Sequence, residues 1–142
     1  MISGAKKSLL ITGYSLSDYF GDLVERMIQK SRTGILIKFF ANGLEGQPEF
    51  EKLLRNRSQF LRIYDYQHSS DRMSSLHAKV ICVDKSKTLI TSANLSYHGQ
   101  EGNIEMGTYM ESPVIAQQVE DIFTKFLFSK IFVAVSYTHL TL

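Results

Sequence analysis

Residues 76–106 read LHAKVICVDKSKTLITSANLSYHGQEGNIEM. Two apolar runs, 76–84 and 88–93, flank a short charged turn, Asp84-Lys85-Ser86-Lys87, which is the pattern of two strands joined tightly. A third strand is expected over 103–111. Set into these strands are polar residues at fixed intervals: His77, Lys79, Asp84, Ser92 and Asn94, then Asn103 and Glu105. Five such matches at set spacing arise by chance at about 10⁻⁷ per starting position, too rarely for scattered polar residues at strand ends. Residues two apart on a strand share a face, so His77 projects with Lys79, and Ser92 with Asn94. An imidazole, an ammonium, a hydroxyl and an amide converging on one point suit a phosphate: Lys brings charge, Ser and Asn bring donors, and His brings a nucleophile or an acid.

Outward from this stretch the chain alternates. Residues 7–13 form a short apolar run ending at Gly13, a buried strand. Leu16, Tyr19, Phe20, Leu23, Val24, Met27 and Ile28 recur at helical spacing, predicting a helix over 17–31 with one core-facing stripe. Residues 35–41 predict a second buried strand and 42–48 a loop. Pro48 opens a short helix with Phe50, Leu53 and Leu54 inward. A third strand is expected over 60–66, and a polar loop over 67–75 leads into the motif. Ser112 and Pro113 begin a last helix, with Ile115, Val119, Ile122, Phe123 and Phe126 on one face. The order of elements predicts an α/β fold, a mixed sheet sandwiched by helices.

The 142 residues are 44% hydrophobic and 21% charged, with a formal net charge of +2, as expected of one ordinary globular domain. No apolar run approaches the ~20 residues of a membrane span, and no signal peptide is evident, so no integral membrane association and a cytoplasmic location are expected. Cys82 is the sole cysteine and sits in an apolar run, which marks it as buried and inert. No cluster of His, Cys and carboxylates has ligand spacing, so neither a metal nor another cofactor is expected. Lys6, Lys7, Lys52, Arg55, Arg57 and Arg62 read as solvated surface, with a basic face as the alternative; Arg72 and His98 beside the motif read as solvated loop charges, with substrate contact beyond the phosphate as the alternative. Residues 1–130 are expected to form the domain. The tail, 131–142, either adds an edge strand or is non-native read-through, since it resembles an adaptor-derived sequence.

The stretch H-x-K-x4-D-x6-[GT]-S-x-N, with N-x-E beyond it, resembles the HKD motif of the phospholipase D superfamily. The resemblance covers roughly residues 5–128, and SANLSYHGQEGNIEMG is most similar to single-motif bacterial members, including the phospholipase D-like component of DISARM antiphage systems. Thr91 stands where the family usually has Gly. The resemblance implies a metal-independent phosphodiesterase. His77 would attack phosphorus and form a phosphohistidine. Lys79 and Asn94 would hold the non-bridging oxygens, with Ser92 in the same shell, and Glu105 would orient His77. Asp84 is read as structural, at the far end of the strand from Lys79. Family members protonate the leaving group with a second HKD histidine. His68, His98 and His139 do not supply one, so an identical chain across a two-fold axis, or a missing half, must complete the site. The expected function is hydrolysis of DNA or RNA as a homodimer. A phospholipid hydrolase or transferase, and a non-catalytic phosphate-binding module of a defence or repair complex, are the alternatives.

Overall fold

A computed structural model describes residues 1–13, 19–43, 46–67, 76, 78–91 and 106–135. Its centre is β1 (Ser8–Gly13), whose six residues are all buried. Such a strand must be covered on both faces, and it is. Leu9 and Ile11 enter one core with Val24, Met27 and Ile28 of α1 (Tyr19–Arg32) and Phe50, Leu53 and Leu54 of α2 (Pro48–Arg55). Leu10 enters the other, against Ala116 and Phe123 of α3 (Pro113–Phe128). The apolar stripe of α1 and the Pro-initiated α2 thus serve the faces their spacing predicts. Ser112 caps α3, its side chain accepting the Ile115 N–H at 3.2 Å.

Among the described residues the sheet has seven strands. β1 pairs in parallel with β2 (Leu36–Ala41), and β2 in parallel with β3 (Leu61–Tyr66). On its other edge β1 pairs antiparallel with β4 (Val80–Val83), followed by β5 (Lys87–Thr91) and β6 (Gly107–Glu111). β7 (Phe132–Ala134) closes the far side against β3, giving the order β6-β5-β4-β1-β2-β3-β7. The expected mixed sheet between helices is therefore present. Within the tail, Phe132 is buried among Phe40, Tyr66, Phe123 and Phe126. Residues 136–142, including His139, lie outside the described residues.

Three expectations change. The strand expected over 103–111 begins at Gly107, with Met106 outside it and 103–105 beyond the described residues. The strand predicted over 76–84 starts only at Val80: its pairing with β1 ends at Ile81, the Val80 N–H goes to the Thr12 hydroxyl, and Val80 is paired in the sheet with Ile90 alone. The inner face of α3 is offset from the predicted stripe: Ile122 is 48% exposed, while Glu120 is buried at 2%. Glu120 belongs there because Lys38, a cation within β2, points at α3 and donates to Glu120 Oε2 at 2.5 Å. A buried charge requires such a partner.

The β4–β5 turn carries the sheet's other charged anchor. Ser86 N–H donates to Val83 C=O at 3.0 Å, and Asp84 and Lys85 adopt φ of 55° and 52°. The Asp84 carboxylate turns back onto the start of β1, accepting the Lys7 N–H at 2.7 Å, the Ser8 N–H at 3.0 Å and the Lys6 N–H at 3.1 Å. Partial burial alone would raise its pKa, but these three donors and the Lys7 charge outweigh it and hold the carboxyl below its ordinary value. A depressed folded-state pKa contributes stability that is present above the ordinary carboxylate range and lost as pH falls through the folded value. Asp84→Asn should therefore lower the urea midpoint at pH 7, and its deficit against wild type should shrink as pH falls below about 4. Parallel urea titrations at several pH values measure both.

Candidate active site

The sheet registers bring several strand ends to one edge. β1 and β2 run in parallel and end together at Gly13 and Ala41. β4 runs the opposite way, so its first residue, Val80, starts where β1 finishes. β5 ends at Thr91, whose N–H donates to Lys79 C=O at 3.0 Å, and Thr91 lies opposite Gly107, the first residue of β6. Ligand crevices in open α/β sheets lie at this carboxyl end of the parallel strands. Lys79 is half-buried there.

Three contacts hold the strand ends in place. Thr12, 5% exposed, donates its hydroxyl to Ala78 C=O at 2.7 Å and accepts the Val80 N–H at 2.9 Å. Thr91 Oγ1 donates to Met106 C=O at 3.3 Å. Gly107 makes the closest approach, since a Cβ there would stand 2.9 Å from Ile90 O and 2.9 Å from Thr91 Cβ. The threonine at 91 is thus accommodated because residue 107 has no side chain. At the same edge Asn42 is 4% exposed, its N–H donates to Gly13 C=O at 3.0 Å, and its Oδ1 has no partner among the described residues.

Of the predicted site residues, the structure places Lys79 at this edge. It places Asp84 at the opposite end of β4, engaged with β1. His77, Ser92, Asn94 and Glu105 lie outside the described residues, as do Arg72 and His98. Three of them have a placed neighbour: Ala78 follows His77, Thr91 precedes Ser92, and Met106 follows Glu105. Ala78 is linked to Val80 through the Thr12 hydroxyl, Lys79 to Thr91, and Thr91 to Met106, each by hydrogen bonds. Cys82 is fully buried with its thiol pKa pushed up by that burial, despite its contact with Thr88. Of the basic residues, Lys52 pairs with Glu25, while Arg57 and Arg62 donate to Leu54 C=O and Gln59 C=O. Sequence reasoning missed Thr12, Gly107 and Asn42. The one signal for Thr12 is a hydroxyl that directly follows the apolar run Leu9-Leu10-Ile11.

A family model described as cardiolipin synthase, PLD-like domain, matches residues 1–127. The chain belongs to the phospholipase D-like family. It is 40% identical over 113 residues to the DISARM protein DrmC of Bacillus paralicheniformis, covering 76% of this chain and 45% of that protein. The chain therefore spans under half the length of this relative. Its fold is similar to NucT from Helicobacter pylori, with a TM-score of 0.75 at 16% identity, covering 94% of this chain and 86% of that one. It is also similar to Nuc, a phospholipase D family member from Salmonella typhimurium, with a TM-score of 0.73 at 17% identity, covering 94% and 85%. Among the described residues no helix is long and apolar enough to cross a membrane.

The tight Thr91–Gly107 approach carries its own test. Gly107→Ala drives a methyl into Ile90 O and the Thr91 side chain, and should destabilise the fold by about 1–3 kcal/mol, the usual cost of overpacking. Denaturant unfolding of the variant against wild type measures it.

Proposed function

We propose that this domain is a metal-independent phosphodiesterase that hydrolyses nucleic-acid phosphodiester bonds through a phosphohistidine on His77. The observation that supports it most is the complete motif set, His77, Lys79, Ser92, Asn94 and Glu105, in a phospholipase D-like chain whose strands bring Lys79, Thr91 and Gly107 to one sheet edge. In the first step a His77 ring nitrogen bonds to phosphorus and the bond to the leaving oxygen breaks. That oxygen takes its proton from a second histidine. In the second step that histidine accepts a proton from water, the water oxygen bonds to phosphorus, and the P–N bond breaks. Lys79 and Asn94 stabilise the extra negative charge of the five-coordinate state, a role a metal would otherwise fill. Glu105 accepts from the other ring nitrogen of His77, selecting the tautomer that leaves the attacking nitrogen free.

These 142 residues carry one motif and so one such histidine; we infer that the second comes from an identical chain across a two-fold axis, each copy giving His77 to a shared phosphate, with a further part of a longer protein as the alternative source. The names of two structural neighbours, Nuc and NucT, agree with a nuclease, and the DISARM relative agrees with a place in a defence system. A phospholipid substrate is the second reading. It draws on the family model's cardiolipin synthase description and on Met106, 82% exposed beside the motif.

Activity on single-stranded and duplex DNA, RNA and phospholipid vesicles should appear with a nucleic acid and survive excess EDTA. Loss in EDTA with recovery in magnesium would exclude the mechanism. His77→Ala should abolish turnover. Glu105→Gln should lower kcat by roughly 10²–10⁴-fold, by analogy with an orienting carboxylate in a triad. Acid-labile, base-stable ³²P on wild type but not on His77→Ala would trap the intermediate. A bound nucleic acid with no such adduct and no turnover would favour a non-catalytic module. Light scattering of the active species tests the dimer, which an active monomer would contradict.

A further inference from the structure

The Thr12 hydroxyl stands where the ladder between β1 and β4 ends. At Leu10 and Cys82 the two strands are in ordinary register, and one pair further on Ile11 lies opposite Ile81. At the next residue the Val80 N–H is taken by the Thr12 side chain at 2.9 Å, in the place a backbone carbonyl would occupy in a continuing ladder. The same hydroxyl gives its proton to Ala78 C=O at 2.7 Å. One buried oxygen therefore grips the backbone on both sides of Lys79, while Thr91 N–H holds Lys79 C=O from the opposite edge at 3.0 Å. A threonine costs a β1 otherwise filled by Leu9, Leu10 and Ile11 some apolar burial, and both of its hydrogen-bonding capacities are spent on this one segment.

We propose that Thr12 is a positioning residue of the active site: its hydroxyl fixes the backbone of Ala78–Val80, and so the direction in which the Lys79 side chain leaves it. The proposal rests on the reading of Lys79 as a group that holds the reacting phosphate. Two directed bonds meeting at one buried atom leave the Ala78–Val80 segment little freedom to slide or twist. A misplacement of about 1 Å in a group that holds the reacting phosphate is enough to slow an in-line displacement markedly.

The test compares Thr12→Val, which keeps the shape and removes the hydroxyl, with Thr12→Ser, which keeps the hydroxyl. The probe is a chromogenic diester, bis(p-nitrophenyl) phosphate, with amide exchange at Val80 and Cys82 as a second readout. In fully folded Thr12→Val, kcat should fall ~10–100-fold with KM within about 3-fold of wild type, because an interaction used in the transition state is lost while binding persists. The Val80 amide should exchange faster with Cys82 unchanged, and Thr12→Ser should return both readouts close to wild type. A Thr12→Val protein with wild-type kcat would overturn the proposal. So would a loss that merely follows the unfolded fraction, a Thr12→Ser protein no better than Thr12→Val, or an unaltered Val80 amide. Should Thr12→Val not fold, Thr12→Cys takes its place in the same comparison. If wild type turns over no diester at all, the phosphodiesterase reading falls, and the Val80 amide still decides whether Thr12 holds this backbone.

Discussion

A strand paired on both edges and buried on both faces has no freedom of register, since a one-residue slip would turn every side chain to the wrong core. β1 is that strand here. Leu9 and Ile11 belong to the α1–α2 core and Leu10 to the α3 core, so a slip would exchange the two. Its neighbours inherit the constraint. The parallel edge, with β2, sends the intervening chain through a helix. The antiparallel edge, with β4, makes the motif strand begin where β1 ends. The change of direction across β1 therefore brings Lys79 to the edge at which the parallel strands finish.

Much of this was legible because the signals were local. The stripe from Leu23 to Ile28, the Pro48 start and the Ser112–Pro113 start each report a helix through residues a few positions apart, and the short apolar runs report strands. The features that were not legible depend on residues far apart. Glu120 reads as a solvent-facing charge until Lys38, 82 positions away, is seen beneath it. With Ala116, Glu120 and Phe123 facing inward, the same helix leaves Ile122 exposed. β4 began late because its continuation meets the Thr12 side chain, 68 residues back, in place of a backbone carbonyl. Gly107 gives no sign of its role in a sequence without Thr91 laid against it.

The site divides along the same line. Residue types and intervals in the motif name a phosphate chemistry without any coordinates, because convergence needs only strand alternation and a shared edge. The backbone at Lys79 and Thr91 is held by contacts the motif does not name, from the Thr12 hydroxyl and the Met106 carbonyl, with Gly107 leaving room for the Thr91 side chain. A motif is thus a statement about reacting groups, and the surrounding sheet is a statement about how little they are allowed to move.

The antiparallel edge of β1 has a consequence for how the chain is made. Ser8 is bound by Asp84 across a separation of 76 residues. On the ribosome the parallel half, β1 to β3 with its two helices, is synthesised first, and for that interval the edge awaiting β4 displays unpaired backbone groups. At about 5–20 residues per second the exposure lasts seconds, long compared with the microseconds in which helices and hairpins form. An open edge of this kind is a template for stray strands. Newly made chains therefore depend on the hairpin carrying the motif to shield the centre of the sheet. The segment that carries the motif is also the one that covers the open edge of β1.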